Sequence, residues 1–251
     1  MPTSKSAAPV RNKTLPGEAC HFCPVLKRTE WCVLKEERLE TLALNKTCTT
    51  YAPGEEVFRQ GESCDGIFCI KAGTIALRKT DAQGNSVITR LVHAGDTVGY
   101  RTFFAGGSFT ASAEALTESK VCFVDRKTVR HVLEMNPNLG ERFLRRLAQA
   151  LRSAEDDKLE SAAQPVRARV AHLILDLADR YGVQTDDAAL VFDLPLARQD
   201  MAAVIGVRPE SITRAIRALE KSGVAIFKGR TVTIPSIEAL VQELSELTEL
   251  T

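Results

Sequence analysis

Two groups of residues in this chain have types and spacings that could do chemistry. The first is sulfur. Cys20-His-Phe-Cys23 is a C-x2-C pair, Cys32 follows after eight intervening residues, and Cys122 stands alone within Lys120-Val-Cys-Phe-Val124. Four thiolates can hold a 4Fe–4S cluster or a tetrahedral zinc ion. Three donors on an N-terminal segment and one in the body would make the fold of that segment depend on the group held. Zinc, no metal at all, and a thiol–disulfide switch are the alternatives. Cys48, Cys64 and Cys69 lie in or beside apolar runs and are expected to be buried structural thiols, with Cys64 and Cys69 able to pair on oxidation. His21, between two donors, is a substitute ligand, whereas His93, His131 and His172 have no metal-like spacing. Trp31, next to Cys32, would shield the site or anchor the segment.

The second group lies near the other end. Glu210 can accept from a cytosine or adenine amino group, and Arg214 can grip the guanine O6/N7 edge with two hydrogen bonds. Four residues apart, they share a helix face. Residues 196–230 hold seven Lys/Arg against three Asp/Glu, a net +4 within a chain whose overall charge is +1, so the basic patch is local. A salt-bridged surface helix would also show Arg and Glu at this spacing; the order of elements around them is what points to DNA. One helix runs from about Arg198 to Ile205 and buries Met201, Ala202 and Ile205. Gly206 supplies a tight turn and Val207 plugs the angle. A second helix opens at Arg208-Pro209, where proline suits the first turn, buries Ile212, Ile216 and Leu219, and stops at Gly223. A strand, a glycine turn and a strand over 224–234 make a wing. This is a helix-turn-helix whose second helix enters the major groove.

The remaining elements must position these two groups. At about 150 residues per domain, 251 residues predict between one and two domains. Pro53-Gly54, Gln60-Gly61, Ala72-Gly73, Gln83-Gly84, Ala94-Gly95 and Gly106-Gly107 punctuate short β-type runs between 51 and 124, the pattern of an antiparallel sandwich or jelly roll. Residues 138–161 form a long helix. On it Phe143, Leu147, Ala150 and Ala154 follow the 4-3-4 spacing of a coiled-coil seam, which continues to Asp157, where like charges would face each other in a parallel dimer. Residues 166–181 form an amphipathic helix with Val170, Leu173, Ile174 and Leu177 on one face. The expected fold class is α+β, divided as a disordered tail (1–19), a cysteine-bearing segment (20–47), a β-roll sensor domain (48–135), a dimerisation helix (136–163) and a winged helix-turn-helix domain (164–251). No run approaches the roughly 18 apolar residues of a membrane span, and no secretory h-region is present, so a cytoplasmic location is expected. Cytosolic thiols stay reduced, which favours metal or redox chemistry over structural disulfides. No paired carboxylates, nucleophile–base spacing or phosphate loop suggests an enzyme.

Over about residues 48–235 this order of β-roll, long helix and winged helix-turn-helix resembles the CRP/FNR family of bacterial transcription regulators. Glu210-Ser-Ile-Thr-Arg214 resembles the FNR and FixK reader, Glu-x-x-Ser/Thr-Arg; the CRP reader carries an Arg just before the Glu, where this chain has Pro209. The resemblance implies a homodimer on double-stranded DNA at an inverted TTGA-type repeat. Glu210, Thr213 and Arg214 would read bases, Arg198, Arg208 and Ser211 would touch phosphates, and RNA polymerase would be a further partner. Cyclic-nucleotide binders of this fold need a Gly-Glu pair and an Arg-Ser/Thr pair. Here the matching stretches are Gly99-Tyr100-Arg101 and Ser108-Phe-Thr-Ala-Ser112, so no cyclic nucleotide is expected. Three N-terminal cysteines plus Cys122 resemble oxygen-sensing FNR, with a longer spacing between Cys23 and Cys32 that a loop closes at little extra entropic cost. The implied function is redox- or oxygen-responsive transcription regulation through a 4Fe–4S cluster. Its rivals are a CRP-like receptor for an effector other than cyclic AMP and an electron carrier.

Overall fold

The structure is a computed structural model that describes residues 19–249. The 1–18 part of the expected tail lies outside the described residues. The chain divides into two compact units, Met1–Ala150 and Leu151–Thr251.

The N-terminal unit starts with three short 3-10 helices, Cys20–Phe22, Leu26–Arg28 and Glu30–Val33. Helix α1 (Glu36–Leu44) follows and buries Leu39 and Leu42. Then come β1 (Lys46–Tyr51), β2 (Glu56–Phe58), β3 (Gly66–Ala72), β4 (Thr74–Thr80), β5 (Ser86–His93), β6 (Thr97–Val98), α2 (Tyr100–Ala105), β7 (Ser112–Ala115), β8 (Ser119–Asp125), α3 (Arg126–Met135) and α4 (Pro137–Ala163), of which the part up to Ala150 belongs to this unit. The strands form two four-stranded antiparallel sheets, ordered β1-β8-β3-β6 and β2-β7-β4-β5, as the glycine-punctuated pattern predicts. Between them the interior is aromatic: Phe58 stacks on Phe109 with centroids 4.0 Å apart, and Phe68 packs on Phe58, Phe109 and Phe123.

Helix α4 extends the expected 138–161 helix by a residue or two at each end, but its expected seam needs correction. Phe143 is 1% exposed. It packs against Trp31, Tyr100 and Phe104 of its own unit, because the aromatic pocket beside the roll offers more apolar contact than a helix surface does. Leu147 leans on the same core and Ala150 is half-buried, while Ala154 and Asp157 are exposed. The apolar side chains that α4 leaves outward are Leu144 (66% exposed) and Leu151 (63%), seven residues apart, with Leu159 beyond them. The outward apolar side chains of α4 therefore start at Leu144, one residue after the Phe143 that the sequence pattern uses.

The C-terminal unit contains α5 (Val166–Tyr181), β9 (Val183–Gln184), β10 (Leu190–Asp193), α6 (Arg198–Ile205), α7 (Pro209–Lys221), β11 (Ile226–Lys228), β12 (Thr231–Ile234) and α8 (Ile237–Glu249). Val170, Leu173, Ile174 and Leu177 of α5 are buried, and α5 packs on α7 and α8, with Arg167 paired to Glu243. The wing strands belong to a four-stranded sheet ordered β11-β12-β10-β9. Strand β10 has no counterpart in the sequence pattern: four residues show too little alternation to announce a strand, and pairing with Thr231–Ile234 makes it one. No helix among the described residues is long and apolar enough to cross a membrane.

Candidate nucleic-acid interface and thiol site

Helices α6 and α7 meet through Gly206, whose φ of 73° lies in the left-handed region that a residue without Cβ adopts at little cost. The N–H groups of Gly206 and Val207 both donate to the Ala202 carbonyl, closing the turn. The Ala197 N–H donates to Asp200 Oδ2 (3.0 Å) at the start of α6. Pro209 occupies the first turn of α7, and Ile212, Ala215, Ile216 and Leu219 are buried beneath it. That burial fixes the rotation of α7, so Glu210, Thr213 and Arg214 are exposed together on its outer side. Arg214 Nη2 donates to Ser211 Oγ (3.1 Å), and Thr213 Oγ1 donates to the Pro209 carbonyl (3.2 Å). Arg208 is exposed. The Arg198 guanidinium lies over the Phe227 ring, 5.1 Å from its centroid. Its partial burial lowers its pKa, an effect that the Glu220 carboxylate opposes, and its Nη1 is buried without a hydrogen-bond partner. A cation held on an aromatic ring with a donor to spare suits a phosphate oxygen. Phe227, which holds Arg198 there, gave no signal in the sequence beyond its place in the wing.

The thiols gather at the other unit. Cys48, Cys122 and Cys69 form one row across β1, β8 and β3, with Cys48 and Cys69 each directly opposite Cys122 in register, so the three side chains share a face. Cys20, Cys23, Cys69 and Cys122 line one small cavity with Lys46, Lys71, Trp31 and Leu42. Three of the four expected metal ligands thus come to one place. Cys32, on the third 3-10 helix and half-buried, does not line it, and neither does the exposed His21. Cys69, expected to be structural only, does. Cys48, expected as a free buried thiol, is joined to Cys122 in a disulfide with Cα atoms 4.1 Å apart. Among the described residues no three His, Cys, Asp or Glu side chains are grouped as metal donors. The thiols lie beside two ammonium groups that would balance thiolate charge; with Cys122 bonded to Cys48, holding a metal there would require the disulfide reduced. Cys64 stays apart, its thiol directed to the Gly66 and Gly99 carbonyls, and is not paired with Cys69.

Burial raises the Cys20 thiol, although the Lys46 ammonium beside it pulls the other way. Burial pushes the Cys69 thiol up to about 12 in spite of the hydrogen bond from Trp31. Trp31 Nε1 donates to Cys69 Sγ (2.9 Å), and its ring stands edge-on to Phe143, 5.7 Å away. The tryptophan is the anchor of the cysteine segment. Beside it runs a polar chain that sequence reading missed. Buried Glu30 accepts from Thr97 Oγ1 and lies 3.7 Å from Arg146 Nε; Arg146 pairs with Asp96, and Arg90 Nη2 reaches the same carboxylate at 3.3 Å. Burial alone would raise the Asp96 pKa, but the His93 N–H and the Arg90 and Arg146 guanidiniums outweigh it and hold the carboxyl below its ordinary value.

Comparison with known proteins fits this arrangement. Residues 48–136 match the cyclic nucleotide-binding domain family and residues 168–243 match the Crp-like helix-turn-helix domain. The chain belongs to the CRP/FNR family of DNA-binding transcription regulators. It is 26% identical to the transcriptional activator protein FnrL of Cereibacter sphaeroides over 90% of this chain and 92% of that one. It is 29% identical to the fumarate and nitrate reduction regulatory protein of Escherichia coli K12 over 75% of each. The fold is similar to that of FixK2 from Bradyrhizobium japonicum, with a TM-score of 0.70 and 24% identity over 80% of this chain and 96% of that one.

Proposed function

We propose that this regulator binds TTGA-type inverted repeats as a homodimer and couples DNA binding to oxygen or redox state through a 4Fe–4S cluster held by Cys20, Cys23, Cys32 and Cys122. The observation that carries the reading is the convergence of Cys20 and Cys23 on Cys122 at one cavity, in a chain whose α7 presents Glu210, Thr213 and Arg214 outward. A bound cluster would supply an oxygen-labile tie between the N-terminal segment and the roll. The chain's own residues carry the consequence. Trp31 grips Cys69 and Phe143, and Glu30 reaches Arg146, so seating the segment is linked to the first half of α4. Outward Leu144 and Leu151 then give a second copy an apolar stripe to meet. The sensor need supply only the difference in stability between the seated and released segment. RNA polymerase is the further partner. No cyclic nucleotide is expected as the ligand, because Tyr100 stands where a carboxylate is needed and the rings of Phe68 and Phe109 lie close to Gly99.

A second reading is favoured by the Cys48–Cys122 disulfide. In it the two thiols lose two protons and two electrons to an oxidant such as a peroxide or a low-molecular-weight disulfide, and the S–S bond itself is the signal. Fluorescence anisotropy on labelled duplexes tests the main reading. Anaerobic protein should prefer an inverted TTGA repeat over a TGTGA repeat by at least about tenfold, as one or two mismatched pairs dictate, and lose affinity when air is admitted. Equal affinity for both duplexes would overturn the reader assignment. Full affinity retained in air would overturn the oxygen-labile tie.

A further inference from the structure

The N-terminal unit contains a cavity that neither DNA reading nor thiol chemistry uses. It measures about 210 Å³ and is lined by Arg28 and Glu30 of the N-terminal segment and by Arg142, Arg145, Arg146 and Gln149 of α4. Residues 142, 145, 146 and 149 share one helix face and span about 10 Å of axis. Four guanidiniums face one carboxylate there. That carboxylate is engaged, with Thr97 on one oxygen and Arg146 near the other. Arg146 is also paired with Asp96, and Arg145 with Glu141 at 2.7 Å. Among the described residues no acid is paired with Arg28 or Arg142, and Arg142 Nε is buried without a hydrogen-bond partner. A buried charged donor left unsatisfied is costly, and a guanidinium fork matches the oxygens of a phosphate in geometry and charge. The lining has no aromatic or aliphatic side chain that could grip a base or an acyl chain, so the cavity selects for charge. Its length along α4 exceeds one tetrahedral oxyanion and suits two or three linked ones.

We infer that this cavity binds the phosphate chain of a small polyphosphate anion, inorganic or carried by a nucleotide, with Arg28 and Arg142 as its direct ligands and Arg145 and Arg146 flanking them. The inference goes beyond the reading above and does not rest on it. An anion bridging Arg28 to Arg142 ties the cysteine-bearing segment to α4, next to the contact that Trp31 makes with Phe143.

Trp31 is the only tryptophan of the chain, follows Glu30 in sequence, and reports on this contact. The full-length protein is titrated at constant ionic strength with tripolyphosphate, a nucleoside triphosphate, orthophosphate and chloride, following tryptophan emission and thermal unfolding. Tripolyphosphate should give a saturable change and raise the Tm, with at least tenfold weaker binding of orthophosphate and none of chloride. A nucleoside triphosphate of equal affinity identifies the phosphate chain alone as the ligand; a tighter one identifies a nucleotide. Arg28→Gln and Arg142→Gln should each weaken tripolyphosphate binding at least tenfold and abolish the rise in Tm, while Arg152→Gln, on α4 outside the cavity, leaves both unchanged. Absence of a saturable signal and of a Tm rise would overturn the inference. So would equal responses to all anions, or unchanged affinity in both arginine variants.

Discussion

The reader helix and the cysteine segment are positioned by different physics. Helix α7 is rotated into place by its own apolar stripe, Ile212, Ala215, Ile216 and Leu219, and the 3.6-residue period then aims positions 210, 213 and 214 outward together. The segment from Cys20 to Val33 is three one-turn 3-10 helices with no period of its own. Its place depends on distant partners: Trp31 on Cys69 and Phe143, Glu30 on Thr97 and Arg146, and Arg28 against Gly95, where a Cβ would fall 2.7 Å from the Arg28 Cβ. The first region presents its groups whether or not a ligand is there. The second can be released by loosening a few contacts, which is what a sensor requires.

The contrast can be broken or sharpened by substitution. The largest expected effect is all or none: Cys32→Ser should lose bound iron under anaerobic conditions, while Cys69→Ser keeps it. The opposite result would move the fourth ligand to the cavity-lining Cys69. Next, Trp31→Ala should cost the N-terminal unit about 3–5 kcal/mol, as removal of a fully buried aromatic does, and leave unfolding of the C-terminal unit in place. Denaturant unfolding followed by circular dichroism would reveal the two separately, and a loss below about 1 kcal/mol would show that the segment is not anchored by this ring. Arg214→Ala should leave stability untouched but weaken specific DNA binding by about 1–3 kcal/mol and relax base choice at one position; unchanged sequence preference in a binding-site selection would remove Arg214 from the reader. The smallest effect is one of pH. Because the Asp96 carboxyl is held below its ordinary value when folded, the stability it contributes is present above about pH 4, near the unfolded aspartate value, and is lost as pH falls through the folded one. Melting of the wild type should therefore fall more steeply with acidification below about pH 4 than melting of Asp96→Asn, and parallel curves would show that Arg90 and Arg146 do not stabilise this carboxylate.

What the sequence made legible follows the same division. The helix-turn-helix was readable nearly to the residue, since α6 covers Arg198–Ile205 as the spacing of Met201, Ala202 and Ile205 requires. The glycine turns announced the roll. Phe143 was misplaced because period alone cannot tell an apolar position that packs on its own domain from one that packs on a partner; only the pocket of Trp31, Tyr100 and Phe104 decides it. Cys48 and Cys69 were not expected beside Cys122 because their alignment comes from strand register, which no local pattern states. The Glu30–Arg146–Asp96 chain joins residues remote in sequence and left no local trace at all.

We propose above that the gathered thiols serve a cluster that governs DNA binding. This proposal is tested most directly by purifying the full-length protein without air and measuring iron, sulfide, zinc and the visible spectrum per chain as air is admitted. About four irons and four sulfides per chain are expected, with the colour bleaching in air and DNA affinity falling in step. A colourless, metal-free protein that binds its DNA site equally well with and without air would contradict the proposal.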